Sequence, residues 1–158
     1  MTKLRVAAVV LAAGVVMGAC GGGGGADTSS GQDGLGAPGD AANARTVEIR
    51  AGNDLRFQPD NVQVKAGETV TFHVVNTATV EHDFTLGDEG EQAQHEKEMK
   101  SMSGGQMHEM GDSANAIHIA PGQSKDLTWR FTKAGTTLFG CHEPGHYDSG
   151  MKGTITVT

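Results

Sequence analysis

Near the C-terminus, a thiol, an imidazole and a thioether stand at fixed spacing, as Cys141, His146 and Met151 in a C-x4-H-x4-M run. A second imidazole, His82, lies far upstream in Glu81-His82-Asp83-Phe84. Two imidazoles, one thiolate and one weak axial thioether make the donor set of a type 1, blue-copper electron-transfer centre. The soft sulfur donors stabilise Cu(I), and imidazole serves both oxidation states. A rigid scaffold around such a set limits rearrangement when the electron moves.

Cysteine usage bears on this reading. The chain has two cysteines, Cys20 and Cys141. Lys3 and Arg5 precede an apolar run from Val6 to Val16, which is then broken at Met17-Gly18-Ala19-Cys20. That order reads as an export signal, and the run is too short to span a bilayer, which takes roughly 20 apolar residues. The stretch ending in Gly-Ala-Cys resembles a bacterial lipoprotein signal with Met17 where Leu is usual, which implies residues 1–19 as signal and Cys20 as the lipidated mature N-terminus. Ordinary signal cleavage, leaving Cys20 as a stray thiol, is the alternative. With Cys20 carrying lipid, Cys141 has no disulfide partner in a compartment where disulfides form. It is then either a metal ligand or an inert buried thiol.

Residues 21–45 are rich in Gly, Ala, Ser and Asp and hold little to bury, so 20–45 is expected to be a disordered, lipid-anchored tether. Residues 46–158 are enough for one domain. Removing residues 1–19 takes away two basic groups and no acidic ones, which moves the net charge from −7 to −9. That balance argues against nucleic-acid binding.

The elements that must position the donors read as strands. Val47 and Ile49, Val62 and Val64, Val70, Phe72 and Val74, Leu127, Trp129 and Phe131, and Ile155 and Val157 alternate with polar neighbours. Lys65–Glu68, Ala120–Gln123 and Thr132–Gly135 have turn composition. Short strands at this spacing predict an all-β sandwich. One insert, 88–116, interrupts the pattern; Glu89–Met102 has helix-forming composition, and Gly104-Gly105 should end any helix.

A helix in the insert would put His95, Met99 and Met102 on one face, and Met107, His108 and Met110 follow after the glycines. Imidazole plus thioether suits Cu(I), so these six residues are a possible second copper site; a mobile solvated loop is the alternative. The insert carries two basic and seven acidic groups, which concentrates the acidity there. It is expected to be separable from the sandwich and to add no ligand to the main centre. His73 and His118 read as surface or packing histidines, and Trp129 as core. His142 adjoins Cys141, but on a continuing strand its side chain would face away from it.

Residues 46–158 resemble the cupredoxins, the family of plastocyanin, azurin, auracyanin and rusticyanin. Leu55-x-Phe57-x-Pro59 and Val64-x-x-Gly67-x-x-Val70-x-Phe72 look like that family's opening strands, and C-x4-H-x4-M like its ligand loop. The resemblance implies a Greek-key β-sandwich with one copper ion at one pole. It implies His82 and His146 as nitrogen ligands, Cys141 as the thiolate and Met151 as the axial ligand, with Pro144 and Gly145 shaping the loop. Many relatives have Asn where this chain has Asp83, a residue that ties the two ligand segments together. A C-x4-H-x4-M chain with a Met/His-containing insert also looks like the cupredoxins linked to copper tolerance. The resulting expectation is a monomeric, non-enzymatic electron carrier working with extracytoplasmic redox proteins. The alternative is a copper-handling protein that takes up additional Cu(I) through the insert.

Overall fold

The computed structural model describes residues 34–102 and 111–158. Ten strands form two five-stranded sheets. They are β1 (Gly36–Pro38), β2 (Arg45–Ala51), β3 (Phe57–Gln58), β4 (Asn61–Val64), β5 (Thr69–Asn76), β6 (His82–Gly87), β7 (Ala116–Ile119), β8 (Ser124–Phe131), β9 (Gly135–Gly140) and β10 (Lys152–Val157). One helix, α1 (Glu89–Ser101), follows β6. The first sheet runs β1-β8-β5-β2-β3 and the second β4-β10-β9-β6-β7. The pairs β2–β5 and β4–β10 are parallel, and the others are antiparallel. The fold is the expected all-β sandwich.

The alternation read from the sequence is the alternation of burial. Val70, Phe72 and Val74 on β5 and Leu127, Trp129 and Phe131 on β8 turn inward, as do Val62 and Val64 on β4 and Ile155 and Val157 on β10. Successive strand residues face opposite sides, so each run covers one face of the core. Phe84 lies against three other rings, those of Phe57 at 5.6 Å, Phe72 at 5.5 Å and Phe139 at 5.1 Å between centroids. These tilted and edge-on contacts join the two sheets and add to the burial of apolar area. Phe84 is two residues from His82 on β6, so the core fixes the strand that carries one of the candidate donors.

The structure corrects two expectations. Within the stretch 20–45 assigned to a disordered tether, Gly36–Pro38 are ordered as β1, which pairs with β8 and places Gly36 opposite Phe131 and Pro38 opposite Trp129. A short 3-10 turn, Ala41–Asn43, then leads into β2, capped by the Asp40 carboxylate accepting from the Ala42 N–H. The glycines of this stretch, suggestive of disorder, permit close approach: a Cβ on Gly36 would lie 2.4 Å from Trp129 Nε1. Cys20 and residues 21–33 lie outside the described residues.

The second correction concerns the insert. Its helix is present, nearly as expected, and begins with a capping box in which Asp88 accepts from Gly90 and Glu91 while Glu91 accepts from the Asp88 N–H. It is no appendage, however. α1 packs on β6 and β9, with Gln92 and Met99 buried, and leaves every residue of β6 buried. Among the described residues, no helix is long and apolar enough to cross a membrane.

Gly36→Val is expected to detach β1 while β2–β10 remain folded, because the added side chain overlaps Trp129 and the Arg130 carbonyl. The chain has a single tryptophan, so its fluorescence reports the change directly. A red-shifted emission with unchanged far-ultraviolet strand signal is the predicted result.

Candidate metal centre

Three segments of chain deliver the expected donors to one end of the sandwich. The first is the loop after β5, shaped by the buried side chain of Asn76. Its Nδ2 donates to the carbonyls of Val80 and Ile119, both at 2.8 Å, and its Oδ1 accepts from Ala78 N–H at 2.9 Å. A buried amide with its donors and acceptor paired holds one loop conformation, since any other leaves polar atoms unpaired. That loop starts β6 at His82.

The second and third segments are the two ends of the loop from β9 to β10. Cys141 N–H donates to the Met151 carbonyl at 3.0 Å, and Met151 N–H donates to the His146 carbonyl at 3.0 Å. Tight turns between them, with Gly145 at φ +81°, wind the ten-residue step from Cys141 to Met151 into one compact loop. The C-x4-H-x4-M spacing is thus the length of a closed, hydrogen-bonded loop. Arg56 fastens it from outside by donating to the Ser149 carbonyl at 2.8 Å.

The donor atoms converge. His82 Nδ1 and His146 Nδ1 are 3.2 Å apart, and Cys141 Sγ is 3.7 Å from the first and 3.4 Å from the second. A circle through those three atoms has a radius of about 2 Å, the length of a metal–imidazole bond. Met151 is fully buried and belongs to the same core as Cys141. The donor set and its spacing therefore fit a small thiophilic ion, with Met151 available as the thioether.

Electrostatics around the donors suit a metal better than a proton. Burial, with His146 as a secondary cause, pushes His82 down to about 4, so it is a neutral donor at ordinary pH. Burial also lowers His146. Burial pushes the Cys141 thiol well above its ordinary range, although the Asp83 N–H, 3.4 Å from Sγ, works in the other direction. A bound cation is what would convert that thiol to thiolate.

Asp83 links the segments. It is fully buried, and both carboxyl oxygens lie within reach of the His142 N–H, at 3.0 and 2.9 Å. Burial pushes its carboxyl well up, because the His142 N–H only partly compensates for lost water. Acceptance by an oxygen on this side chain is common to Asp and Asn, so the departure from Asn keeps the link.

His142 is held from the helix side. Gln92 donates from Nε2 to the Thr85 carbonyl at 2.9 Å, which turns its Oε1 toward His142 Nε2 at 2.7 Å. The other ring nitrogen, Nδ1, faces Glu96 Oε2 at 2.7 Å, and Tyr147 stacks on the ring at 4.6 Å. Gly140 makes this approach possible, since a Cβ there would lie 2.6 Å from Tyr147 and 2.7 Å from Gln92 Oε1. Both imidazole nitrogens are engaged, so His142 is a structural strut. α1 also reaches the loop through Lys100, which pairs with Asp148 at 3.0 Å. The sequence pattern missed this strut, because nothing in the spacing of Gln92 and Glu96 refers to His142.

Of the possible second copper site, Met99 is buried, Met102 ends α1 half-buried, and His95 meets the His142 ring edge-on at 4.9 Å. The shared face of His95 and Met99 is therefore turned toward the sandwich. Met107, His108 and Met110 lie outside the described residues. His73 is a surface residue paired with Asp126, as expected, whereas His118 is nearly buried and meets Glu81 and Glu143.

Comparison with known proteins agrees with this geometry. The family described as copper binding proteins, plastocyanin/azurin family, matches residues 44–158. The copper-resistant cuproprotein CopI of Rubrivivax gelatinosus is 41% identical over 123 residues, covering 77% of this chain and 72% of that protein. The protein of the same name from Pseudomonas aeruginosa is 38% identical over 149 residues, covering 78% and 82%. Among solved structures, auracyanin B superposes with a TM-score of 0.63 at 30% identity, covering 79% of this chain and 96% of that one. Fold, converging donors and relatives agree, and the chain belongs to the plastocyanin/azurin family of copper-binding proteins, the cupredoxins.

Proposed function

We propose that His82, Cys141, His146 and Met151 hold one type 1 copper ion, and that its redox cycling serves copper tolerance outside the cytoplasm. The observation that carries the centre is the convergence of two imidazole nitrogens and one thiol within 3.7 Å. Copper bound there would supply one-electron chemistry. The protein's own residues hold the donors, exclude water around Cys141, and keep His146 at the rim, half-exposed, where an electron can leave. The tolerance role is supported by relatives named as copper-resistant cuproproteins at 41% and 38% identity. Export is supported by the basic start, the apolar run and Cys20, which would tie the domain to the outer face of a membrane by lipid.

A second reading, electron transfer between redox proteins, is favoured by the likeness to auracyanin B and by the half-exposed His146. Expression in a copper-sensitive host separates the two. Raised copper tolerance that Cys141→Ser removes supports the first reading; no protection from a protein that binds copper supports the second.

The copper-loaded protein is expected to show an intense visible charge-transfer band, and Cys141→Ser to lose it completely while the apo-domain remains folded. Colour in the Cys141→Ser protein would refute the ligand assignment. Met151→Gln should lower the reduction potential, since an oxygen donor favours Cu(II), and Met151→Leu should raise it. Voltammetry reads both.

Gln92→Ala tests the strut. It leaves the Thr85 carbonyl and His142 Nε2 without their partner, at a cost of about 1–3 kcal/mol by denaturant titration. The visible band should shift as well, because the loop between Cys141 and His146 loses its support. A spectrum identical to wild type would show that α1 does not constrain the centre.

A further inference from the structure

Three side chains outside the sulfur-bearing centre meet from three separate elements. Glu81 immediately precedes β6, His118 lies on β7, and Glu143 lies in the loop between β9 and β10. A carboxylate oxygen from each glutamate and a ring nitrogen of His118 lie within 4.8 Å of one another. The topology brings them together. β6 and β7 pair antiparallel with Asp83 opposite His118, and the Asp83 carboxyl accepts the His142 N–H, which carries Glu143 to the same side. An open cleft of about 480 Å³ leads to the cluster, lined by Glu81 and His118 together with Asp112 and Lys125.

The chemistry of this cluster differs from that of the first centre. It has one imidazole, two carboxylates and no sulfur, a set that favours divalent ions of borderline hardness over Cu(I). The two carboxylate charges balance those of the cation. Between candidate ions, Cu²⁺ outranks Zn²⁺ in intrinsic affinity for nitrogen and oxygen donors. We propose that Glu81, His118 and Glu143 form a second metal site, for a divalent cation such as Cu²⁺ or Zn²⁺. Glu81 adjoins His82 and Glu143 is two residues from Cys141, so the two sites are neighbours along the chain. A cation held there adds positive charge beside the type 1 centre and favours its reduced form. This proposal concerns a different ion and different residues, and it holds whichever physiological role the first centre serves.

The test uses the full chain carrying one copper ion, reduced to Cu(I), and titrated with Zn²⁺ by calorimetry. One further equivalent should bind, and the potential of the type 1 centre should rise as it does. His118→Ala and Glu81→Gln should each weaken that uptake by roughly tenfold or more and remove the rise in potential. Their visible band in the oxidised state should persist, which reports the first centre independently. With Cu²⁺ added to the oxidised protein, paramagnetic resonance should show a second, non-blue signal in wild type and not in the variants. The proposal is overturned if no further equivalent binds, or if both variants take up Zn²⁺ as wild type does. In either case His118 is an ordinary bridge between two carboxylates. Should His118→Ala fail to fold, Glu81→Gln alone decides.

Discussion

The centre depends on one buried link between distant parts of the chain. Asp83, one residue beyond His82, offers its N–H to Cys141 Sγ and its carboxyl to the N–H of His142, one residue beyond Cys141. These two contacts run in opposite directions across the same gap, so neither segment can shift without breaking both. A fully buried polar group with specified partners is costly to rearrange. His82 and Cys141 are consequently held close whether or not an ion lies between them.

Around that link the sandwich and the helix act as two supports. Phe84 anchors β6 to both sheets from the core side, and Gln92 and Glu96 hold His142 from the other. β6 is buried along its whole length for this reason, which is unusual for an alternating strand with one face normally left to solvent. The insert therefore contributes to the geometry of the candidate centre without giving it a donor. This is the physical reason the insert is not a removable appendage. The separability expected from the insert's lack of a ligand for the main centre overlooked two polar side chains on the inner face of an otherwise hydrophilic helix.

The acidity of the insert also takes on a different meaning. Glu96 is committed to His142 and Lys100, and Asp112 to Lys125 and the His118 N–H. Part of the charge that read as a solvated surface is thus structural. Outside the insert, Glu81 and Glu143 lie beside an imidazole and give the domain a second cluster of different chemical character. Soft and hard donor sets a few residues apart offer different affinities for the two oxidation states of one element.

The β class, the inward residues of β4, β5, β8 and β10, and the expected donors Cys141, His146 and Met151 were legible because each is a local pattern, whereas His82, 59 residues before Cys141, entered through the donor set it completes and the family resemblance. Alternation reports a half-buried strand, and C-x4-H-x4-M reports a loop whose length is set by its own hydrogen bonds. The helix was legible from the composition of Glu89–Met102. What could not be read is whatever depends on contact between residues far apart in sequence. Gly36 is docked because it fits against Trp129, His142 is a strut because Gln92 and Glu96 lie across from it, and His118 joins Glu81 and Glu143 because β7 pairs with β6. Periodicity carries no information about such pairings. Only the packing of the two sheets and α1 decides them, since it selects which unrelated side chains share a buried space and must satisfy one another there.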